Sequence, residues 1–425
     1  MDNKIIDHLE ENFQHEFDDL AQEDVASVEE AVKSKMDQLG NCLLQRLLDK
    51  QQNGYKGSKL SCSCGCSMKF VGHRPKDIHS LYGWVNIKRA YYHCSNCGRS
   101  SYPYDQQSGI GSPRLSPGLA QAAALIAVDD SFEQSSKKLE YLTGQKVSAN
   151  TIEDVVDIAG SRQISQQDEE LENHCHSREY PEPPASPQRL YISLDGTTVH
   201  EEDGWHEAKA GCIYFEDRDF NVQKVYSGTF RNSDDFGWHL WYQACKYGLR
   251  QAREVVYIGD GASWIKTQHY RHFGRATFII DWYHASEHIW DCGKQLYGES
   301  GSQTEKWVRK RLNWLWDGCT KELLDDLKGQ CKRRRGDKRS ALEKLIRYIS
   351  NNEQQMRYDV FRKKGYDIGS GAAEGACKYV VGKRLKQSGM IWSRAGSSAM
   401  LALRVTFLNG EWRKLWQSKP LTKAA

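Results

Sequence analysis

Three carboxylates stand where a folded chain could use them to hold hard cations. Asp195 follows the apolar run Leu190-Tyr-Ile-Ser-Leu194, and Asp260 follows Val255-Val-Tyr-Ile-Gly259. Each run reads as a buried strand that ends on an acid and a glycine. In open α/β sheets, ligands sit at such carboxyl ends, so two parallel neighbours could present their aspartates side by side. Glu374, in Gly371-Ala-Ala-Glu374-Gly-Ala, is the third candidate, carried on a helix packed beside them, with Asp367 and Glu411 as its competitors. Mg²⁺ or Mn²⁺ takes oxygen ligands from one or two carboxylates plus substrate phosphates. Paired ions clamp both oxygens of an in-line phosphoryl displacement, which needs no covalent nucleophile on the protein. The plain alternative is that the Asp-Gly dipeptides form turns; the presence of all three acids in this order favours the site.

A second chemistry is written in cysteine. The chain carries 13 Cys, including Cys62-Ser-Cys64-Gly-Cys66 and, about 30 residues on, Cys94-Ser-Asn-Cys97-Gly. The intervening Tyr82–Tyr92 stretch alternates like a strand. Two thiol pairs separated by β pattern suit a structural zinc ribbon, in which a closed tetrahedral thiolate site substitutes for a large core. The first pair is crowded: Cys62 with Cys64 is the choice, with Cys66 in reserve. An odd cysteine count without a secretory signal argues for reduced thiols over a disulfide framework.

Charge is divided unevenly along the chain. The formal net charge is +3, yet residues 301–425 hold 28 Lys/Arg against 12 Asp/Glu, which leaves the first 300 residues net acidic. The basic third includes Lys332-Arg333-Arg334-Arg335 and surrounds Glu374. Lys383, Arg384 and Lys386 follow it, and these seven are the candidate contacts to a DNA backbone, because Lys and Arg contacts to phosphate dominate nucleic-acid affinity. No apolar run is long enough to span a bilayer, so a soluble, cytoplasmic protein is expected, nucleoid-associated through the DNA binding that the basic third suggests.

The elements that must position these residues follow in order. Residues 1–55 form a helical region, with Val25, Val28, Val32 and Met36 at helical spacing; 56–110 form the ribbon; 111–162 contain three helices resembling a helix-turn-helix, although the last has an acidic face. Residues 163–188, polar and then Pro-rich, read as a linker. From 189 to 281 the pattern is three meander strands, a helix, a strand, a helix and a strand, the order of a ribonuclease-H-like core. A helical insertion occupies 282–365, and 366–415 supply the last helices. The resulting fold class is multidomain α+β or α/β. His284 and His288 are spaced to share a helix face as metal ligands, with a packed imidazole the plainer role for His288.

Taken together, the ribbon, Asp195-Gly-Thr, Gly204-Trp-His-Glu-Ala-Lys-Ala-Gly211, Gly259-Asp-Gly-Ala-Ser-Trp264, Asp281-Trp-Tyr-His284, Gly371-Ala-Ala-Glu374 and Ser388-Gly-Met-Ile-Trp392 resemble DDE-type transposases of bacterial insertion sequences, in the Mutator-like (ISKra-type) group. The resemblance covers roughly residues 60–410. It implies that Asp195, Asp260 and Glu374 carry Mg²⁺ and that Asp281-x-x-His284 is an auxiliary motif. It also implies cleavage and joining of double-stranded DNA at terminal inverted repeats by a homo-oligomer. Two rivals are a ribonuclease-H-like nuclease without strand transfer, and a DNA-binding regulator with a disused core. A retaining glycosidase fits poorly with the basic tail and the ribbon.

Overall fold

The computed structural model describes residues 24–417, apart from 52, 111–113, 178, 180–181, 184–185, 218 and 300. It is a mixed α+β protein with two sheets, divided into a unit running to Ile158 and a unit over Ala159–Leu415. No helix among the described residues is long and apolar enough to cross a membrane.

The first unit opens with helix α1 (Val25–Lys50), capped by the Asp24 carboxylate on the Ser27 N–H. The part of the expected N-terminal helical region before residue 24 lies outside the described residues. A four-stranded antiparallel sheet follows: β1 (Lys59–Ser61), β2 (Ser67–Ser80), β3 (Gly83–His93) and β4 (Ser100–Ser101). Its core is two small clusters. One joins Met68, Ala90 and Tyr92 to Cys62 and Cys94, and the other packs Ile78, Val85 and Ile87 with Tyr104 and Ile110. Then come α2 (Pro103–Ser108), α3 (Pro117–Ala127), α4 (Phe132–Thr143) and α5 (Ala149–Ser177), whose residues from Ala159 on belong to the second unit. Gly144 ends α4 in the left-handed conformation (φ 72°), as a helix C-terminus favours.

Helix α5 corrects the expected linker, because it continues to Ser177 through most of 163–188. Its acids are paired rather than merely solvated. Arg231 grips Asp168 with two nitrogens at 2.6 Å each, and Lys246 reaches Glu170 at 3.1 Å. Polarity alone could not distinguish a paired helix face from a linker.

The second unit is built on a five-stranded sheet ordered β7-β6-β5-β8-β9, from β5 (Arg189–Glu201), β6 (Gly204–Glu216), β7 (Val222–Thr229), β8 (Glu254–Gly259) and β9 (Thr277–Ile280). β5, β6 and β7 form the antiparallel meander; β8 and β9 run parallel to β5. The Val-Val-Tyr-Ile run of β8 is continuously buried, which a parallel strand covered on both faces requires. Two glycines identify those covers. A Cβ on Gly211 would meet Leu240 and Phe236 of α6 (Ser233–Lys246) at 3.1–3.3 Å, and one on Gly228 would meet Leu401 of α15 (Arg394–Leu408) at 3.2 Å. Because successive residues of a strand point to opposite faces, and Gly228 pairs with Ala210, the two helices cover opposite sides.

Between the last two strands lies α7 (Ser263–His272). The insertion after β9 is helical as expected: α8 (Trp282–Tyr297), α9 (Ser302–Trp316), α10 (Thr320–Cys331), α11 (Gly336–Asn351) and, past a 3₁₀ turn, α12 (Tyr358–Lys363). The chain then returns through α13 (Gly371–Ala376), a π-helical turn at Cys377–Gly382 and α14 (Lys383–Leu385).

Candidate metal centre and acidic strand edge

In the first unit, the thiols of Cys62, Cys64, Cys94 and Cys97 all lie within 4.8 Å of one another. Measured edges are 3.4 Å (Cys62–Cys64), 3.5 Å (Cys62–Cys97) and 3.7 Å (Cys64–Cys94). A tetrahedral ion with bonds of about 2.3 Å spaces its sulfurs by about 3.8 Å, so the four fit a metal such as zinc. Two tight turns make the geometry: Gly65 N–H donates to the Cys62 carbonyl at 3.0 Å, and Gly98 N–H to that of Cys94 at 2.9 Å. Gly65 (φ 83°) and Gly98 (φ 73°) adopt the left-handed backbone these turns need. Backbone N–H donation from Cys66, then the neighbouring thiols, pulls the Cys64 thiol down to about 6. Cys66 itself stands outside the set and contributes its carbonyl, which accepts the Cys62 N–H at 2.8 Å.

In the second unit, the β-ladders put the aspartates in line. The last parallel couple of β5 and β8 is Ser193–Ile258, so Asp195 and Asp260 each lie two residues beyond it. The last couple of β8 and β9 is Gly259–Ile280, so Asp260 and Asp281 each follow by one. Three aspartates therefore lie just past the carboxyl ends of the two adjacent parallel ladders. One expectation is corrected. Asp195 does not end its strand, since β5 runs on to Glu201 paired with β6; what ends there is the parallel ladder.

The three acids are not equivalent. Asp195 is half-buried; burial, and the nearby Asp260 anion, raise its carboxyl above the usual range against hydrogen bonds from Gly196 and the Cys377 thiol. Asp260 Oδ1 accepts the Ala262 N–H at 2.7 Å, so it does shape its turn as an Asp-Gly dipeptide would. Asp281 is fully buried and caps α8. His284 lies close enough to Asp195 to favour its charged form, and its Nδ1 stands 3.4 Å from Glu287. His288 packs tilted against Tyr348, with centroids 3.8 Å apart and an interplanar angle of 39°, and burial lowers its pKa below the ordinary imidazole value. Among the described residues, His284 and His288 join no convergent group of three or more metal-ligating side chains.

Glu374 is exposed on α13 and does not converge with Asp195 and Asp260 within 4.8 Å. Register and burial bring Asp195 and Asp260 to one sheet edge; Glu374 does not join them in a convergent set in this arrangement. Its helix is nevertheless anchored at the acids. Cys377, three residues on and so on the same helix face, has its thiol near enough to Asp195 to favour that carboxylate, and burial raises the thiol strongly. No local pattern signals Cys377, whose placement depends on the phase of the π turn.

That turn has a visible support. Arg404 of α15, 1% exposed, donates Nε to the Val380 carbonyl at 2.8 Å and Nη2 to that of Tyr379. A π turn displaces carbonyls from the α-helical ladder, and such turns recur at functional sites.

The basic candidates divide. Lys332, Arg333, Arg335 and Lys383 are exposed, as is Lys386, whose Nζ donates to Thr197 Oγ1 at 2.6 Å. Arg334 is engaged with Gln330 (3.1 Å) and Tyr297 (2.6 Å). Arg384 departs from the expectation. It is 1% exposed, with its guanidinium 4.7 Å from the Trp392 ring centroid, so here it serves the fold rather than a DNA-facing surface.

Fold and sites thus define a mixed α+β protein with a four-thiol centre able to bind a metal such as zinc, and an aspartate-lined sheet edge. The chain belongs to the Uncharacterised protein family (UPF0236), whose family model matches residues 24–419. It is 27% identical over 356 residues to the "UPF0236 protein in vanSb 3'region" of Streptococcus gallolyticus, covering 79% of this chain and 73% of that one.

Proposed function

We propose that this protein is a transposase with a ribonuclease-H-like core, which binds terminal inverted repeats and cleaves and joins DNA strands with divalent metal. The observation that carries the reading is the register of Asp195 and Asp260, each two residues past the last couple of the parallel β5–β8 ladder, in a sheet ordered β7-β6-β5-β8-β9. Like charges held together at a half-buried edge are unfavourable unless a cation joins them. Mg²⁺ bound there would supply Lewis-acid activation of a phosphodiester and of the attacking water or 3′-hydroxyl.

In this reading Asp195 and Asp260 hold the ion, and Glu374 is the third acid, brought near by the helix that Cys377 ties to Asp195. Lys332, Arg333, Arg335, Lys383 and Lys386 hold DNA phosphates, and the four-thiol ribbon, loaded with zinc, supports end recognition. The protein works as a homo-oligomer on DNA. The rival of a nuclease without strand transfer predicts cleavage without joined products.

The test is a cleavage and strand-transfer assay on a duplex carrying candidate inverted repeats, in Mg²⁺ and in EDTA, with wild type and Asp195→Asn. Metal-dependent nicking at the repeat ends that Asp195→Asn abolishes supports the reading. Equal binding and no nicking by wild type in Mg²⁺ or Mn²⁺ would leave a DNA-binding regulator.

A further inference from the structure

A second group of metal-ligating side chains lies at the tip of the β5–β6 hairpin. One ligand atom each from Glu201, Asp203 and His206 falls within a common 4.8 Å. Six residues of extended chain, about 20 Å, separate Glu201 from Asp195, so this group is distinct from the acidic edge. His206 Nε2 stands 2.8 Å from Asp203 Oδ1 and 3.9 Å from Glu201 Oε2.

Proximity of acids alone would carry nothing, but Glu201 is not an ordinary surface acid. It is 1% exposed, and its Oε2 has no hydrogen-bond partner while facing His206. A buried carboxylate oxygen without a partner is costly, the more so when charged. Its other oxygen is held: Ser397 Oγ, fully buried on α15, donates to Oε1 at 2.5 Å. That pattern, one oxygen fixed by a hydroxyl and the other turned toward an imidazole and a second carboxylate, is how outer-shell groups orient a ligand toward a metal. The hairpin is also fastened from outside. Glu202 N–H donates to the Trp392 carbonyl at 3.0 Å, and Trp392 N–H to that of His200 at 3.2 Å.

We propose that Glu201, Asp203 and His206 bind a divalent transition-metal ion of the zinc class. One imidazole nitrogen and two carboxylate oxygens suit such an ion and leave a coordination position open to water or a substrate oxygen. Ser397 is the positioning residue, and the ion fixes the hairpin tip against α15.

The test is zinc content of the full-length protein after equilibration with micromolar ZnCl₂ and gel filtration, for wild type, His206→Ala and Glu201→Gln. His206 is about a third exposed, so His206→Ala folds irrespective of any stability effect at Glu201. The expected result is one zinc fewer in His206→Ala and in Glu201→Gln than in wild type, with the thiol-bound equivalent kept in all. Ser397→Ala should weaken this site about 10–100-fold while leaving its stoichiometry at saturation. Identical zinc content in wild type and His206→Ala would overturn the proposal.

Discussion

Both carboxylate oxygens of Asp281 are engaged by backbone amides, Oδ1 accepting the His284 N–H at 2.8 Å and Oδ2 the N–H of Ser370. The first bond starts α8, and the second ties the returning chain, four residues before Glu374, to the strand edge. Trp282 N–H adds a bond to the Ile368 carbonyl at 2.9 Å. Gly369 permits this approach, since a Cβ there would stand 3.1 Å from the Tyr283 ring. Asp281 is thus a positioning residue: it joins the two ends of the helical insertion.

Asp281→Ala should therefore cost stability before it costs chemistry. It would orphan a buried N–H at Ser370 and remove a helix cap, together about 3 kcal/mol. Urea unfolding of the second unit should show a midpoint shift of that size. An unchanged midpoint would mean that the buried carboxylate contributes nothing to the chain's return.

Asp195→Asn should do the reverse. A carboxyl raised above its ordinary 3.8 binds its proton more tightly in the folded state, so its contribution favours folding at low pH and is lost as pH rises through the folded value. At neutral pH, Asn removes both the burial penalty of the charge and the repulsion from Asp260. The variant should gain about 1 kcal/mol in the absence of divalent cations and lose more than about a hundredfold in strand cleavage. Thermal scans with EDTA and with Mg²⁺ check this: Mg²⁺ should stabilise wild type and not the variant.

Chelating zinc, or changing Cys94 and Cys97 to Ser, should unfold the β1–β4 ribbon and abolish end binding while the second unit keeps its cooperative transition. The ribbon's two small clusters bury too little to hold four strands alone, and two thiols, Cys62 and Cys94, sit inside one of them. Domain-resolved unfolding by limited proteolysis would show it. A ribbon equally protected with and without metal would rule out a structural role for the thiol centre.

Neutralising Lys332, Arg333 and Arg335 together should lower the slope of log K against log salt for DNA binding by up to about 0.9 per lost phosphate contact, evenly across sequences. Arg384→Ala should instead lower stability, because its guanidinium fills the space over Trp392. An unchanged salt slope in the triple variant would assign the run to a solvated helix junction.

What the sequence disclosed and what it hid have physical reasons. The buried runs before Asp195 and Asp260 were legible because a strand covered on both faces favours apolar residues along its whole length, Ser193 being the exception. The thiol pairs were legible because metal spacing is local. Asp195 reads as a strand end only because β5 turns polar where it leaves the parallel ladder and pairs with β6 alone. The acids of α5 look like a linker until Arg231 and Lys246 arrive from over 60 residues away. Arg384 looks like a DNA contact until Trp392 covers it, and the approach of Cys377 to Asp195 needs a π turn that no periodicity announces.

Glu374→Gln tests most, because its place in the site depends on the whole return of the chain. Its competitors are otherwise occupied. Asp367 Oδ2 accepts the Tyr214 hydroxyl at 3.1 Å, and its own N–H donates to Tyr191 Oη at 3.2 Å. Tyr191 precedes Asp195 by four residues on β5, so this partner of Asp367 lies on the strand before the acidic edge. Glu411 acts on the residues that close α6 rather than at the strand edge: burial and then the Glu411 charge raise Tyr247, while Lys246, which burial would lower, is raised by Glu170 and then by Glu411. Glu374 alone rides the helix whose next turn touches Asp195. If it completes the cation site when DNA is bound, Glu374→Gln should leave the unfolding midpoint and end binding within error of wild type, and remove cleavage as fully as Asp260→Asn. Asp367→Asn should weaken a hydrogen bond to Tyr214 and cost about 1 kcal/mol with cleavage retained. Cleavage by Glu374→Gln at near wild-type rate, together with an inactive but folded Asp367→Asn, would move the third acid to Asp367 and leave the aspartate pair standing.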